Sequence, residues 1–541
     1  MLRNSIVCLL LCLAFLSSCT QKAKERKMVF RYNQAGGLET LDPAFAKNLS
    51  IMWGVHFIFN TLTEVDKDLK VTPSLAKTWE ISEDGLLYTF HIRRDVYFQD
   101  NEAFPGGKGR RMTAYDIQYS FDRLIDPLTA SSGAWIFNDR VRSKQPFEAI
   151  NDSTFLIHLN QPFRPLPEIL SMPYCSVVPH EVVRKWGKDF RNHPCGTGPF
   201  RFQYWDEGNT LVLHKHPGYW EQDSSGQKLP YLDAVQVSFN DTKATEFLLF
   251  LQKKLDFVNG LDGSFKDLVL TKKGTLKPDF QDKIRLKKLV YLNTEYLGIL
   301  IDKDNAKLKG TPLLHPKVRL AINYAIDRNK IVTYFRNGVG IPATTGFIPK
   351  GMPGTEKRLA TPYEYNPAKA LQLLAEAGYP NGKGLAPIIL QCPEANVDVC
   401  NFVATQLNDI GIPARVQVMQ PGLLRQEMSR SQAPFFKAQW IADYPDAETY
   451  LAFFYSKLPA PPNYTRFNDP VFDHLYERSL QATDDATRFH MYAQMDSLIS
   501  SKAPVVPLFY DEMLHFTQNN ISGFEENPLN IIDLKRVKVN K

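Results

Sequence analysis

Apolar and polar positions change rhythm along the chain. Near the start the period is two. MVFRYNQ (28–34) alternates like a half-buried strand. LLYTFHI (86–92) does so directly after Asp84-Gly85, a pair that suits the positive φ angles of a tight hairpin turn. FRFQYWDEGNTLVLHKH (200–216) repeats the arrangement about Gly208-Asn209, and LDAVQVSF (232–239) supplies another strand. TAYDIQYSFDRLID (113–126) instead has helical spacing. Thr113 and Asp116 stand as a capping box, Ile117, Phe121 and Leu124 share a face, and Pro127 ends the element.

The second half alternates helices with short apolar runs. HPKVRLAINYAIDRNKIVTYF (315–335) predicts one helix with Val318, Ile322, Ala325 and Ile326 on a common side. NPAKALQLLAEAG (366–378) carries Asn as N-cap, Pro at the first helical position and Gly beyond the end. PIILQ (387–391) and ARVQVM (414–419) read as strands flanking a helix over 397–410. A crossover of that length predicts a parallel pair with a right-handed connection. The fold class expected is therefore α/β, with an α/β lobe over about 295–500.

A length of 541 residues leaves room for two to four domains of ordinary size. The formal charge of +6 is dispersed. Only KAKERK (22–27) forms a basic run, so no face is marked for nucleic acid. The N-terminus is more informative. Arg3, an apolar run from Ile6 to Leu16 and then small residues form a secretory signal too short to span a bilayer. Leu16-Ser17-Ser18-Cys19 resembles a bacterial lipobox, which makes Cys19 the lipidated first residue; a plain signal with an incidental Cys is the alternative. With Cys8 and Cys12 removed in the signal, Cys175, Cys195, Cys392 and Cys400 remain. Proximity in an oxidising compartment favours disulfides Cys175–Cys195 and Cys392–Cys400, against four buried thiols. No Cys/His spacing suggests a metal or cofactor. GxSxG, HExxH and the P-loop pattern are absent, so no enzyme is expected.

Several stretches together resemble one family. LETLDP (38–43), TPSLAKTWEISEDGLLYTFHIRRDVYFQD (72–100), MTAYDIQYSFDRL, GTGPFRF (196–202), VRLAINYAIDR, KALQLLAEAGYP and WIADYPD occur in the order seen in family 5 solute-binding lipoproteins of bacterial ABC importers, the oligopeptide/dipeptide class. The link DNEAFPGGKGRRMTA (100–114) is longer than that family's usual one and reads as an exposed loop. The resemblance implies a two-lobed periplasmic-binding-protein fold (class II, cluster C) with an extra inserted domain. It divides the chain into a signal (1–18), a lipidated tether (19–27), a lobe holding both ends (28–49, 170–290 and 505–541), a small inserted domain (50–169) and the α/β lobe (291–504). Strands crossing between the lobes are expected near 290–297 and 504–509. The implied protein is a lipid-anchored monomer in the cell envelope, facing the periplasm. It would capture short peptides for an ABC permease and ATPase complex, touching the membrane only through its anchor. Other cargo in the same fold (a nickel chelate, haem or a sugar) or a peptide-sensing role are the alternatives.

The candidate site follows from what peptides share. Their backbones can pair with an exposed strand, and Gly36, Gly37, Leu38, Glu39 and Thr40 form a segment that glycine lets another backbone approach; an ordinary turn feeding Leu41 into the core is the other reading. QWIADYPDAE (439–448) places Asp443 among apolar neighbours, where an isolated charge is costly. In the resembling peptide binders an Asp at this place pairs with the ligand's α-amine; a turn cap is the other reading. Trp440 and Tyr444 would wall the pocket or pack in the core. Asp446 reads as a turn residue. Arg430 and Lys437 are candidates for the ligand carboxylate, or solvated charges.

Overall fold

The computed structural model describes residues 27–355, 359 and 363–540. The expected signal, Cys19 and most of the tether lie outside these residues. Among the described residues, no helix is long and apolar enough to cross a membrane.

One mixed sheet runs through the molecule. Its strands lie in the order Ala414–Val418, Ile388–Cys392, Phe435–Ile441, Ile284–Ile299, Val505–Gln518, Phe257–Asn259, Val29–Asn33, Ala234–Ser238, Thr210–Lys215 and Phe200–Asp206, with Ile341–Pro342 added beside Val505–Gln518. Two strands of 16 and 14 residues, Ile284–Ile299 and Val505–Gln518, belong to both halves. Leu286 faces Phe516 at one end of this antiparallel pair and Gly298 faces Val505 at the other. The ladder slips between Val290 and Thr294 and again between Glu295 and Tyr296. Such irregularities loosen the hydrogen-bonded ladder and let the strands bend. The crossings expected near 290–297 and 504–509 lie on these strands.

The local signals explain the elements around the sheet. Helix Ala114–Ile125 starts at the Thr113–Asp116 capping box, with Thr113 N–H donating to Asp116 at 2.9 Å. Ile388–Cys392 and Ala414–Val418 pair in parallel, joined by helix Val397–Asp409. The Asp84-Gly85 and Gly208-Asn209 turns close antiparallel hairpins. A second sheet, Ala76–Ile81, Leu87–Ile92, Thr154–His158 and Phe147–Asn151, lies within the span expected for the insertion. Its apolar face joins the cluster that also buries Phe30, Phe57 and Val235, so this region shares its core with the lobe carrying the chain ends. A distinct cluster about Leu297, Ile322 and Leu407 holds the α/β side.

Three expectations need correction. The helix drawn over 315–335 stops at Ala325. Ile326 is extended, and Asp327 caps a new turn by accepting from Lys330 N–H at 3.0 Å. The break lets the buried Arg328 guanidinium donate to Pro507 O at 2.6 Å and Asn323 O at 2.9 Å. The 100–114 link is not wholly exposed: Phe104 is buried, and Arg110 bridges Asp116 at 2.6 Å and Glu181 at 2.9 Å. Finally, Cys175, Cys195, Cys392 and Cys400 are buried free thiols and not disulfides. Cys175 donates to Ile169 O and Cys195 to Gln99 O, so the first two are tied to different parts of the backbone. Cys392 and Cys400 lie close enough for each thiol to shift the other's pKa.

Candidate functional site

The strand Phe435–Ile441 pairs with Ile284–Ile299, which sets Trp440 opposite Thr294 and Lys437 opposite Leu297. One last bond, from Ala442 N–H to Leu292 O at 2.8 Å, holds the chain to the sheet before it turns away. Asp446 accepts from Glu448 N–H at 2.9 Å and opens the short helix Glu448–Leu451. Asp443 therefore stands where the strand leaves the sheet.

Two cavities meet at this point. One, of about 950 Å³, is enclosed by 47–73, 171–173, 220–221, 439–443 and the C-terminal stretch 525–536. Within it Lys535 is surrounded by Glu64 at 3.0 Å, Glu221 at 2.8 Å and Asp533 at 3.5 Å. The other, of about 1020 Å³, lies between 135–140 and 161–163 on one side and 440–462 and 476–481 on the other. It is walled by aromatic residues, among them Trp135, Phe163, Tyr174, Trp440 and Tyr455. Lys47, Met52, Met172 and Asp443 line both.

Asp443 has no ion-pair partner among the described residues. Its side chain opens onto the cleft although protein crowds it from behind. That crowding, and then the charge of Glu448, push its carboxyl up from 3.8 to about 6, with Thr449 opposing. Solvent in the open cleft moderates the penalty, so the upward direction is what the geometry supports.

The other candidates fall into two groups. Trp440 and Tyr444 line the aromatic cavity. The Trp440 indole donates to Thr449 O at 2.8 Å and meets Phe453 edge-on at 5.4 Å, which fixes the wall. The Tyr444 hydroxyl donates to buried Glu448, as does Tyr476. Lys437, Arg430 and residues 36–40 line neither cavity. Lys437 is not a surface charge: it is buried against Glu295 and donates to Ala438 O at 2.9 Å. Arg430 is exposed just beyond helix Pro421–Ser429. Gly36 and Gly37 form a turn, with Gly37 at φ +67° and its N–H on Gln34 O at 3.1 Å. Leu38 packs on the core, Glu39 pairs with Lys47 at 2.8 Å, and Thr40 accepts from Asp42 N–H at 2.9 Å. The expected pairing strand is thus turn and coil, reaching the cleft only through Lys47. Asp446 is more than a turn residue, since Arg488 and Tyr492 bind it at 2.5 and 2.8 Å. Sequence reasoning missed Lys47, Met52, Met172 and Arg140; no local motif marks them.

A sheet passing through two long strands, with a large cleft beside the crossing, defines a two-lobed periplasmic binding protein. The profile of the bacterial extracellular solute-binding proteins, family 5 (middle region), matches residues 70–461, and the chain belongs to this family. It is 26% identical over 533 residues to the glutathione-binding protein GsiB of Escherichia coli strain K12, covering 96% of each chain. Among solved structures it resembles HbpA2 from Haemophilus parasuis (TM-score 0.81, 24% identity, 95% of this chain and 100% of that one). It also resembles the ABC transporter-associated periplasmic binding protein DppA from Helicobacter pylori in complex with the peptide STSA (TM-score 0.74, 23% identity, 96% and 100%). These likenesses establish the fold.

Proposed function

We propose that this protein captures short peptides in the cleft, holds their α-ammonium at Asp443, and delivers them to the membrane subunits of an ABC importer, tethered through lipid on Cys19. The observation that carries this reading is a carboxylate with no cation partner among the described residues, placed where two cavities join. A ligand ammonium supplies the missing charge, and charge-assisted hydrogen bonds formed away from bulk water are the strong ones. The named ligands of two relatives, glutathione and STSA, are both peptides and agree with it. No covalent chemistry is required. The ligand touches both sides of the cleft, so it stabilises the closed arrangement by its differential contacts, with bending at the slipped register of the two long strands.

The test is to purify the protein from its host, identify co-purifying cargo by mass spectrometry, and titrate that cargo with its amine free or acetylated. Acetylation and Asp443→Asn are each expected to weaken binding by about a hundredfold or more, the scale of breaking a desolvated charge pair. Cargo without an amine, or an unaltered affinity in Asp443→Asn, overturns the reading.

A further inference from the structure

The aromatic compartment holds a second charge that the fold does not satisfy. Three cations line it: Lys47, Arg140 and Lys457. Lys47 is paired with Glu39 at 2.8 Å and Lys457 with Glu477 at 2.5 Å. Arg140 has no ion pair among the described residues, yet it is held in place. Its Nη1 donates to Trp135 O at 2.8 Å and Ile136 O at 3.1 Å. The guanidinium lies 4.6 Å from the centre of the Phe163 ring. Its backbone N–H is bonded to Phe137 O at 3.1 Å, and its carbonyl accepts from Asn160 N–H at 2.7 Å. Nη2 and Nε have no hydrogen-bond partner among the described residues. Half of a planar fork, fixed in direction and half-buried, is left for an acceptor.

Acids near the fork do not occupy it. Asp139 is exposed and forms no ion pair with its neighbour. Glu448 is buried and already accepts from Tyr444 and Tyr476. Burial raises its pKa, which Arg140 opposes only from beyond ion-pair distance. Arg140 and Asp443 thus present opposite, uncompensated charges within one cavity. They sit on opposite sides of it, Arg140 beside the inserted sheet and Asp443 at the end of a strand of the α/β side.

We infer that Arg140 receives the C-terminal carboxylate of the peptide whose α-ammonium Asp443 holds, so that the aromatic compartment selects short peptides with both ends free. This rests on the peptide reading above and adds the second end of the ligand. A guanidinium edge matches a carboxylate with two parallel N–H···O bonds.

The experiment compares three synthetic libraries of di- to pentapeptides: unmodified, amidated at the C-terminus, and acetylated at the N-terminus. Each is passed over the purified protein and its Arg140→Gln, Arg140→Lys and Asp443→Asn variants, and retained peptides are counted by mass spectrometry. The parent protein should retain free acids over amides by about tenfold or more. Arg140→Gln should bring that ratio to near one, and Arg140→Lys should leave it intermediate because an ammonium keeps the charge but loses the fork. Both should still reject acetylated peptides. Asp443→Asn should do the reverse, accepting acetylated peptides while keeping the acid preference. Equal retention of acids and amides by the parent protein overturns the inference and leaves the α-amine reading standing. So does an undiminished acid preference in both Arg140 variants, or a preference that follows Asp and Glu side chains and ignores the terminus. Failure to retain any library overturns the peptide reading itself. If Arg140→Gln does not fold, Arg140→Lys decides the outcome alone.

Discussion

Replacing Glu168 by Gln probes the ionic cluster that joins the two sides of the cleft. Glu168 lies on the short helix Leu166–Ile169, and Arg488 reaches it from helix Asp485–Lys502 at 4.0 Å. Asp446 takes the same guanidinium at 2.5 Å and Asp485 takes it at 3.0 Å. Three carboxylates therefore compete for one cation. Burial and then the charge of Asp446 push the Glu168 carboxyl from 4.5 up to about 7, with Arg488 opposing. Its Oε2 has no hydrogen-bond partner among the described residues. The folded chain then holds a proton that the unfolded chain has released, so the wild type loses stability as pH rises from about 4.5 to about 7 and levels off above. At about 1.4 kcal/mol per tenfold, that rise corresponds to about 3 kcal/mol. Glu168 keeps 18% of its side-chain surface, so solvent screening removes only part of this. A glutamine side chain does not titrate. The advantage of Glu168→Gln over the wild type should grow from near zero at about pH 5 to about 2–3 kcal/mol at about pH 8, read as a shift in the urea midpoint across a pH series. An equal effect at both ends of the series would refute the reasoning. So would a loss of stability at high pH, because an ionised and well-paired Glu168 would cost about 3–5 kcal/mol to remove.

Peptide affinity of the wild type should fall as pH drops below neutral toward the raised pKa of Asp443, whereas Asp443→Asn should show no such inflection in calorimetric titration. The same variant should stabilise the ligand-free protein at neutral pH by about 1 kcal/mol, the value for a sealed carboxyl reduced for its exposure to the cleft. Lys437→Met should cost about 3–5 kcal/mol of stability by stranding Glu295, and the double change with Glu295→Leu should recover most of it, both with unchanged peptide affinity at a fixed folded fraction. A mild disulfide oxidant should link Cys392 to Cys400, whose thiols are close enough to shift each other's pKa, and should leave Cys175 and Cys195 unlinked to each other; peptide mapping reads both.

What the sequence disclosed was what is decided locally. The capping box at Thr113, the turns at Gly85 and Gly208 and the strand–helix–strand unit over 388–418 each depend on residues a few positions apart, and each forms as its pattern implies. Asp443 stood out for a similar reason: a charge beside Trp440 and Tyr444 conflicts with its own surroundings, and the fold sets it where the two cavities meet. What could not be read is set by distant chain. Lys437 looks like any exposed lysine until Glu295, 142 residues away, is brought beside it by strand pairing. The helix breaks at Ile326, and the break lets the Arg328 guanidinium reach the carbonyls of Pro507 and Asn323, the former far along the chain. Arg140 sits in a stretch with no periodicity, and only the fold places it across a cavity from Asp443.

The placement of those two charges bears on how capture is coupled to closure. On the proposed reading, bending at the slipped register between Val290 and Thr294 brings the two sides together. A ligand shifts such an equilibrium only by the difference in its contacts with the two states. A cation held at Asp443 alone would bind one side and leave the angle free. A molecule with an ammonium at one end and a carboxylate at the other contacts the strand end carrying Asp443 and the loop carrying Arg140 together, and it can do so only when they face each other across the aromatic cavity. The charge arrangement therefore makes closure a measurement of the ligand: both ends present, and a span that fits. Blocking either end removes one contact and with it the preference for the closed form. A fluorescence distance reporter between the inserted sheet and the α/β side should accordingly respond to an unmodified peptide and not to the same peptide acetylated or amidated; closure by all three would show that the aromatic walls, and not the paired charges, drive it.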